Sequence, residues 1–162
     1  MSELLLVNPN TTPSMTEKMV AAARAVAASA TQVEGYTAEY GPESIEGYYD
    51  EVFAIPPLIA RVIEHPRVFD GVIVGCFDDT GVDALRARLR VPVSGLCQAA
   101  LQFATVLAGK ITIVTTLERS VPALEQVVMR HGFDLRSIRI RASEVPVLDL
   151  EDPDSPASAR IR

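Results

Sequence analysis

Val72-Ile73-Val74-Gly75-Cys76-Phe77-Asp78-Asp79-Thr80-Gly81 is the stretch that decides the fold of this chain. Its first four residues are β-branched or small and form a short apolar run, the pattern of a buried strand. Phe77 to Gly81 reads as a polar turn, and Val82 onward as the helix that the turn opens. Strand, polar turn and helix make half of a βαβ unit. The same order stands at the start, where Leu4-Leu5-Leu6-Val7 runs into Asn8-Pro9-Asn10-Thr11-Thr12 and then into a helical pattern from Pro13. Two strand ends carrying amides, hydroxyls and a thiol point to a site at the carboxyl edge of a parallel sheet. A cysteine behind an apolar run is ordinarily a packed residue. The polar turn after Cys76 shifts the reading towards chemistry, because helix-terminal N–H groups there favour the thiolate.

Working outward, strand patterns fall at 3–7, 32–36, 71–75, 91–95, 111–115 and 138–142, and helical patterns at 13–30, 45–64, 82–89, 98–108 and 122–131. Their alternation predicts an α/β fold with a parallel sheet flanked by helices. Thr12 before Pro13 reads as a helix cap, with Ser14 and Glu17 as a capping-box pattern. His65-Pro66 ends the long helix, since the residue before proline avoids the α region. Gly109 and Gly132 follow their helices as terminating glycines do. The acidic, proline-broken stretch from Asp149 to Arg162 reads as a linker or the approach to another helix.

The 162 residues suit one α/β domain or two small lobes sharing a cleft, and 48% hydrophobic residues suffice for a core. A net charge of -6 argues against a nucleic-acid partner. The arginines of 86–90 and 136–141 read as solvated edges. No apolar run reaches the roughly 18 residues of a membrane span. Met1 to Val7 lacks the basic start of a signal peptide. Two cysteines cannot frame a disulfide scaffold, so the expected compartment is the reducing cytoplasm.

Each motif also has a plain structural reading. Asn8 to Thr12 is an ordinary strand-to-helix turn, and the loop from Gly41 to Asp50 can be capped by Ser44. Asp78 and Asp79 can cap the helix that follows them, and Thr115-Thr116, at a third strand end, can cap another. Cys97, among Ala99, Ala100 and Leu101, reads as a packed helix-start residue. His65 and His131 sit at helix ends, where the macrodipole favours them. No Cys/His spacing resembles a zinc site, and Gly71, Gly75 and Gly81 are not spaced as a phosphate-binding loop.

Five motifs in order nevertheless resemble the hydantoin and allantoin racemases of the aspartate/glutamate racemase superfamily. They are Leu5-Leu6-Val7-Asn8-Pro9-Asn10-Thr11-Thr12 with Met15-Thr16; Gly41-Pro42 with Ser44-Ile45-Glu46-Gly47-Tyr48-Tyr49-Asp50; Gly75-Cys76-Phe77-Asp78-Asp79 with Gly81; Val91-Pro92-Val93 with a following glycine; and Val114-Thr115-Thr116 with Arg119. The resemblance implies two pseudo-symmetric Rossmann-like lobes with a site between them, here residues 1–95 carrying Cys76 and an incomplete second lobe over 96–162. It implies a cofactor-independent racemase of 5-monosubstituted hydantoins or allantoin, working as a homo-oligomer. Two cysteines on opposite faces of the substrate would move the proton, with Cys76 matching the first. The second would lie beyond Arg162, so the chain is expected to be a truncated racemase or a short relative with another task. Asn10, Thr11, Ser44, Phe77, Asp78, Thr115 and Thr116 are the expected substrate-binding residues around Cys76, with no metal. One-sided cysteine chemistry, as in a decarboxylase or isomerase of the superfamily, and an inactive small-molecule-binding fragment are the alternatives.

Overall fold

The computed structural model describes residues 1–159. Arg160, Ile161 and Arg162, the end of the stretch read as a linker, lie outside the described residues. Four parallel strands, β1 (Ser2–Asn8), β2 (Thr31–Thr37), β3 (Gly71–Val74) and β4 (Val93–Gly95), form a sheet in the order β2-β1-β3-β4. A second parallel sheet pairs β5 (Ile111–Thr115) with β6 (Ile138–Ala142). Helices α1 (Pro13–Val26), α2 (Tyr48–Glu64), α3 (Val82–Arg88), α4 (Leu96–Leu107), α5 (Val121–Arg130) and the short α6 (Pro156–Ala159) complete the described chain. This is the α/β class expected from the alternating patterns.

The apolar run of β1 is continuous because both faces of the strand are covered. Successive side chains alternate between faces. Leu5 and Val7 join Leu58 and Val62 of α2, Val82 and Leu85 of α3, and Val72 and Val74 of β3 in one core. Leu6 turns the other way, onto Val20 of α1 and Val33 of β2. The second sheet has its own core, in which Ile113 and Ile138 meet Leu124, Val127 and Val128 of α5 and Cys97 and Leu101 of α4.

Two pairings place the site. β1 and β3 are adjacent, with Leu4 opposite Gly71 and Val7 opposite Val74. The Gly75 N–H continues the ladder to the Val7 carbonyl at 2.7 Å. Both strands therefore stop level with one another, and the Asn8 and Cys76 turns leave the sheet at the same edge.

Several element ends differ from the sequence expectation. Helix α1 stops at Val26, not at 30, because Ala27 turns to extended geometry and the Ala30 carbonyl accepts from the Ser2 N–H at 3.0 Å. Helix α2 starts at Tyr48, not at 45, because Gly47 at φ 128 breaks the chain direction before it. Pro56 and Pro57 lie inside α2 without ending it, and Pro57 is part of its buried face. Thr12 does not cap α1; its hydroxyl donates to the Glu43 carbonyl at 2.8 Å. Nor does Ser14 close a capping box, since its hydroxyl donates to Glu151, which also pairs with Lys18 at 3.1 Å. The acidic stretch thus folds back on the start of α1. None of the described helices is long and apolar enough to cross a membrane.

Candidate active site

A cleft of about 250 Å³ opens at the carboxyl edge of the strands. The first sheet contributes Asn10, Met15, Gly75, Cys76, Phe77 and Asp78 to its lining. The end of β5 and the turn after it contribute Val114, Thr115, Thr116 and Ser120, and Ile45 and Val147 complete the wall. Of the residues expected from sequence, Asn10, Cys76, Phe77, Asp78, Thr115 and Thr116 share this cleft. Thr11 does not line it, because its N–H and hydroxyl both donate to the Pro42 carbonyl, at 3.0 and 3.3 Å. Ser44 is half-buried and also does not line it; its neighbour Ile45 does.

The Asn8 turn is rigid for a physical reason. Asn8 is fully buried, and its amide donates to Asn10 Oδ1 at 2.8 Å and Thr16 Oγ1 at 3.0 Å. Its own oxygen accepts the Asn10 N–H at 3.1 Å. Asn10 Oδ1 also accepts the Thr12 N–H at 3.0 Å, so this oxygen is occupied. The Asn10 Nδ2 donor faces only the Met15 thioether, at 3.2 Å. Thioether sulfur is a weak acceptor, which leaves this donor available in the cleft.

The Cys76 sulfur accepts a hydrogen bond from the Thr80 hydroxyl at 3.2 Å, and the Asp78 backbone N–H adds a smaller pull in the same direction. Both favour the thiolate, as the turn chemistry suggested. They do not win. Burial is the larger effect and, with the charge of Asp78, pushes the thiol up to about 12. The resting group is therefore a thiol, a correction to the expectation of a favoured thiolate. Burial likewise pushes Asp78 up to about 7, with Glu51 and then Asp79 adding repulsion.

Asp79 does something other than cap the helix directly after it. Its carboxylate accepts the Cys97 N–H at 2.9 Å and the Gln98 N–H at 3.0 Å, which caps α4 from outside that helix. Gly95 makes this possible, since a Cβ there would lie 2.1 Å from Asp79 Oδ1. His131, read from sequence as a helix-end residue, completes the cluster with Nε2 2.8 Å from Asp79 Oδ2. Both side chains are buried, 4% and 0% exposed.

Glu46 plays the matching part on the other wall. It is buried, and its carboxylate binds the Arg119 guanidinium and accepts the Val147 N–H at 2.7 Å. Arg119 Nε also donates to the Glu46 carbonyl at 3.2 Å. One side chain thus ties together the three segments that carry Ile45, Ser120 and Val147. Thr115 and Thr116 are not caps: their carbonyls accept from Ser143, and the turn that follows starts beyond them. Cys97 is fully buried in the second core and does not line the cleft. Among the described residues no group of three His, Cys, Asp or Glu side chains could hold a metal ion.

Known proteins resemble this chain in sequence and fold. A hydantoin racemase from Rhizobium meliloti is 37% identical over 148 residues, 91% of this chain and 61% of that protein. The structure of an allantoin racemase from Klebsiella pneumoniae superposes with a TM-score of 0.93 at 34% identity, covering 99% of this chain and 66% of that one. That of an allantoin racemase from Pseudomonas fluorescens gives 0.90 at 36% identity, covering 97% and 66%. The chain thus spans about three-fifths to two-thirds of the length of these relatives. The profile of the Asp/Glu/Hydantoin racemase family matches residues 4–162. With the paired strand ends, the thiol at the second and a family profile running almost from end to end, this chain belongs to the Asp/Glu/Hydantoin racemase family.

Proposed function

We propose that the cleft is one face of a racemase site for 5-monosubstituted hydantoins or allantoin, in which Cys76 moves the proton on the ring carbon next to a carbonyl. The observation that carries this reading is Cys76 at the strand end, its sulfur hydrogen-bonded by Thr80, lining the same cleft as Asn10, Thr115 and Thr116. Removing that proton leaves a planar, enolate-like anion, and its oxygen needs preorganised donors. The Asn10 amide and the hydroxyls of Thr115 and Thr116 supply them. In its resting form Cys76 is a proton donor. Acting as a base is easier with Asp78 protonated, because after burial itself the Asp78 charge opposes the thiolate most.

Inversion also needs an acid–base group on the opposite face. Among the described residues no second cysteine reaches the cleft, since Cys97 lies in the second core. In this reading residues 1–95 and 96–162 act as two lobes, and with one acid–base group at the cleft the 162 residues exchange the proton but invert slowly. The protein would work as a homo-oligomer in the reducing cytoplasm, without metal or organic cofactor. The single thiol in the cleft also suits one-sided chemistry such as decarboxylation.

The test follows a pure enantiomer of 5-methylhydantoin, and separately allantoin, by proton NMR in D₂O and by polarimetry. Exchange that falls by on the order of 10²-fold or more in Cys76→Ser, with slow loss of optical rotation, is the expected result. Unchanged exchange in Cys76→Ser would refute the role of Cys76. Fast racemisation abolished by that substitution would place the second group within this chain. Loss of CO₂ from a carboxylate analogue without exchange would favour the decarboxylase.

A further inference from the structure

Resting on that function, we propose that the Ser120 hydroxyl is a substrate contact, pairing with the ring amide of the cyclic ureide. Ser120 directly precedes α5, where a serine ordinarily accepts a hydrogen bond from the N–H of the second or third helical residue. Here the second helical residue is Pro122, which has no N–H. Ser120 also has α-region backbone geometry, φ -82 and ψ -19, in place of the extended geometry of a capping residue, and its side chain makes no capping bond.

The hydroxyl finds no other use among the described residues. Ser120 is 2% exposed, and its Oγ meets no protein partner among the described residues. The other such side-chain atom, Arg61 Nε, does not line the cleft; Ser120 does. Buried hydroxyls are nearly always paired, and leaving one unpaired is unfavourable. A hydroxyl held without a protein partner in the wall of the Cys76 cleft is poised for a ligand.

Its position is fixed by the turn that carries it. The Ser120 N–H donates to the Leu117 carbonyl at 2.9 Å, and the adjacent Arg119 is tied to Glu46. A cyclic ureide alternates N–H and C=O groups around its ring. A hydroxyl that both donates and accepts pairs with either, while the Asn10 Nδ2 donor takes a carbonyl. Two underused polar groups lining one cleft thus complement one ring. A site built to pair a polar group discriminates against analogues that lack it, which makes Ser120 a specificity-determining residue.

The experiment compares the wild-type chain with Ser120→Ala in calorimetric titrations of 5-methylhydantoin and allantoin, and in thermal melts without ligand. The expected result is roughly tenfold weaker binding by the variant, the loss of one hydrogen bond, with a melting temperature no lower than wild type. A variant that melts lower has lost a structural partner, and that overturns the proposal whatever its affinity. Equal binding by variant and wild type overturns the role of Ser120 and leaves the proposed function standing. A wild-type chain that binds neither compound overturns both.

Discussion

Asp78→Asn should stabilise the protein at alkaline pH, and its size follows from the cleft. Asp78 is 7% exposed, and its carboxyl is pushed from an ordinary 3.8 up to about 7, chiefly by burial, then by Glu51 and Asp79. Between those two values the folded chain holds a proton that the unfolded chain has released. Stability therefore falls as pH rises through that window and levels off above about 7. A shift of that size corresponds to about 4 kcal/mol in total, most of it between pH 5 and pH 7. Asparagine has the same shape and no proton to lose. Relative to the variant, the wild-type protein should thus lose on the order of 3 kcal/mol between pH 5 and pH 8. For a chain of this size that is roughly 6–12 °C in melting temperature. Urea denaturation of both proteins at the two pH values measures it. A stability difference that does not change between pH 5 and pH 8 would refute the burial argument. The same substitution removes the main electrostatic obstacle to the Cys76 thiolate, so iodoacetamide should alkylate Cys76 faster in the variant at pH 8.

Two further outcomes follow from the groups behind the cleft. Gly95→Ala would drive a methyl group into Asp79 Oδ1 and pull the carboxylate off the Cys97 and Gln98 N–H groups. It should destabilise by on the order of 3 kcal/mol, and a thermal melt indistinguishable from wild type would show that Asp79 does not cap α4. Cys97→Ala, in the second core and away from the cleft, should lower stability by about 1 kcal/mol and leave proton exchange on 5-methylhydantoin unchanged. A loss of exchange comparable to that of Cys76→Ser would show that Cys97 reaches the substrate.

The parts of the fold that were legible in the sequence are those written in short-range pattern. Leu4 to Val7 and Val72 to Gly75 are apolar runs that end in polar turns, and runs of that kind are strands covered on both faces. Thr115 was legible for the same reason, as the end of Ile111 to Val114. Groups that meet across the chain were not. Asp79 and His131 are 52 positions apart, and each has an ordinary local explanation, a turn residue and a helix-end histidine. Glu46 looked like part of a loop, and its use as a tie depends on Arg119 and Val147 far along the chain. Ser120 came nearest to being readable, because a serine before Val121-Pro122 stands at a helix start whose second residue cannot be capped.

The thiol is where local and global reasoning part most clearly. From sequence, Cys76 sits beside backbone N–H groups that favour its anion, and the Thr80 hydroxyl does donate to its sulfur. What the sequence does not display is that Asp78 beside it is buried and that Glu51 and Asp79 add negative charge around that carboxyl. With the proton on sulfur and Asp78 near its midpoint at neutral pH, the proposed reaction starts from an uncharged sulfur and an uncharged ring. A cyclic ureide is neutral, and the anion formed from it by proton loss is accommodated most easily when Asp78 is itself protonated. The acidic surroundings that suppress the free thiolate thus tie two protonation states together: charge on the substrate or on sulfur is tolerated when Asp78 carries a proton. Resistance of the idle thiol to alkylation and oxidation follows from the same surroundings.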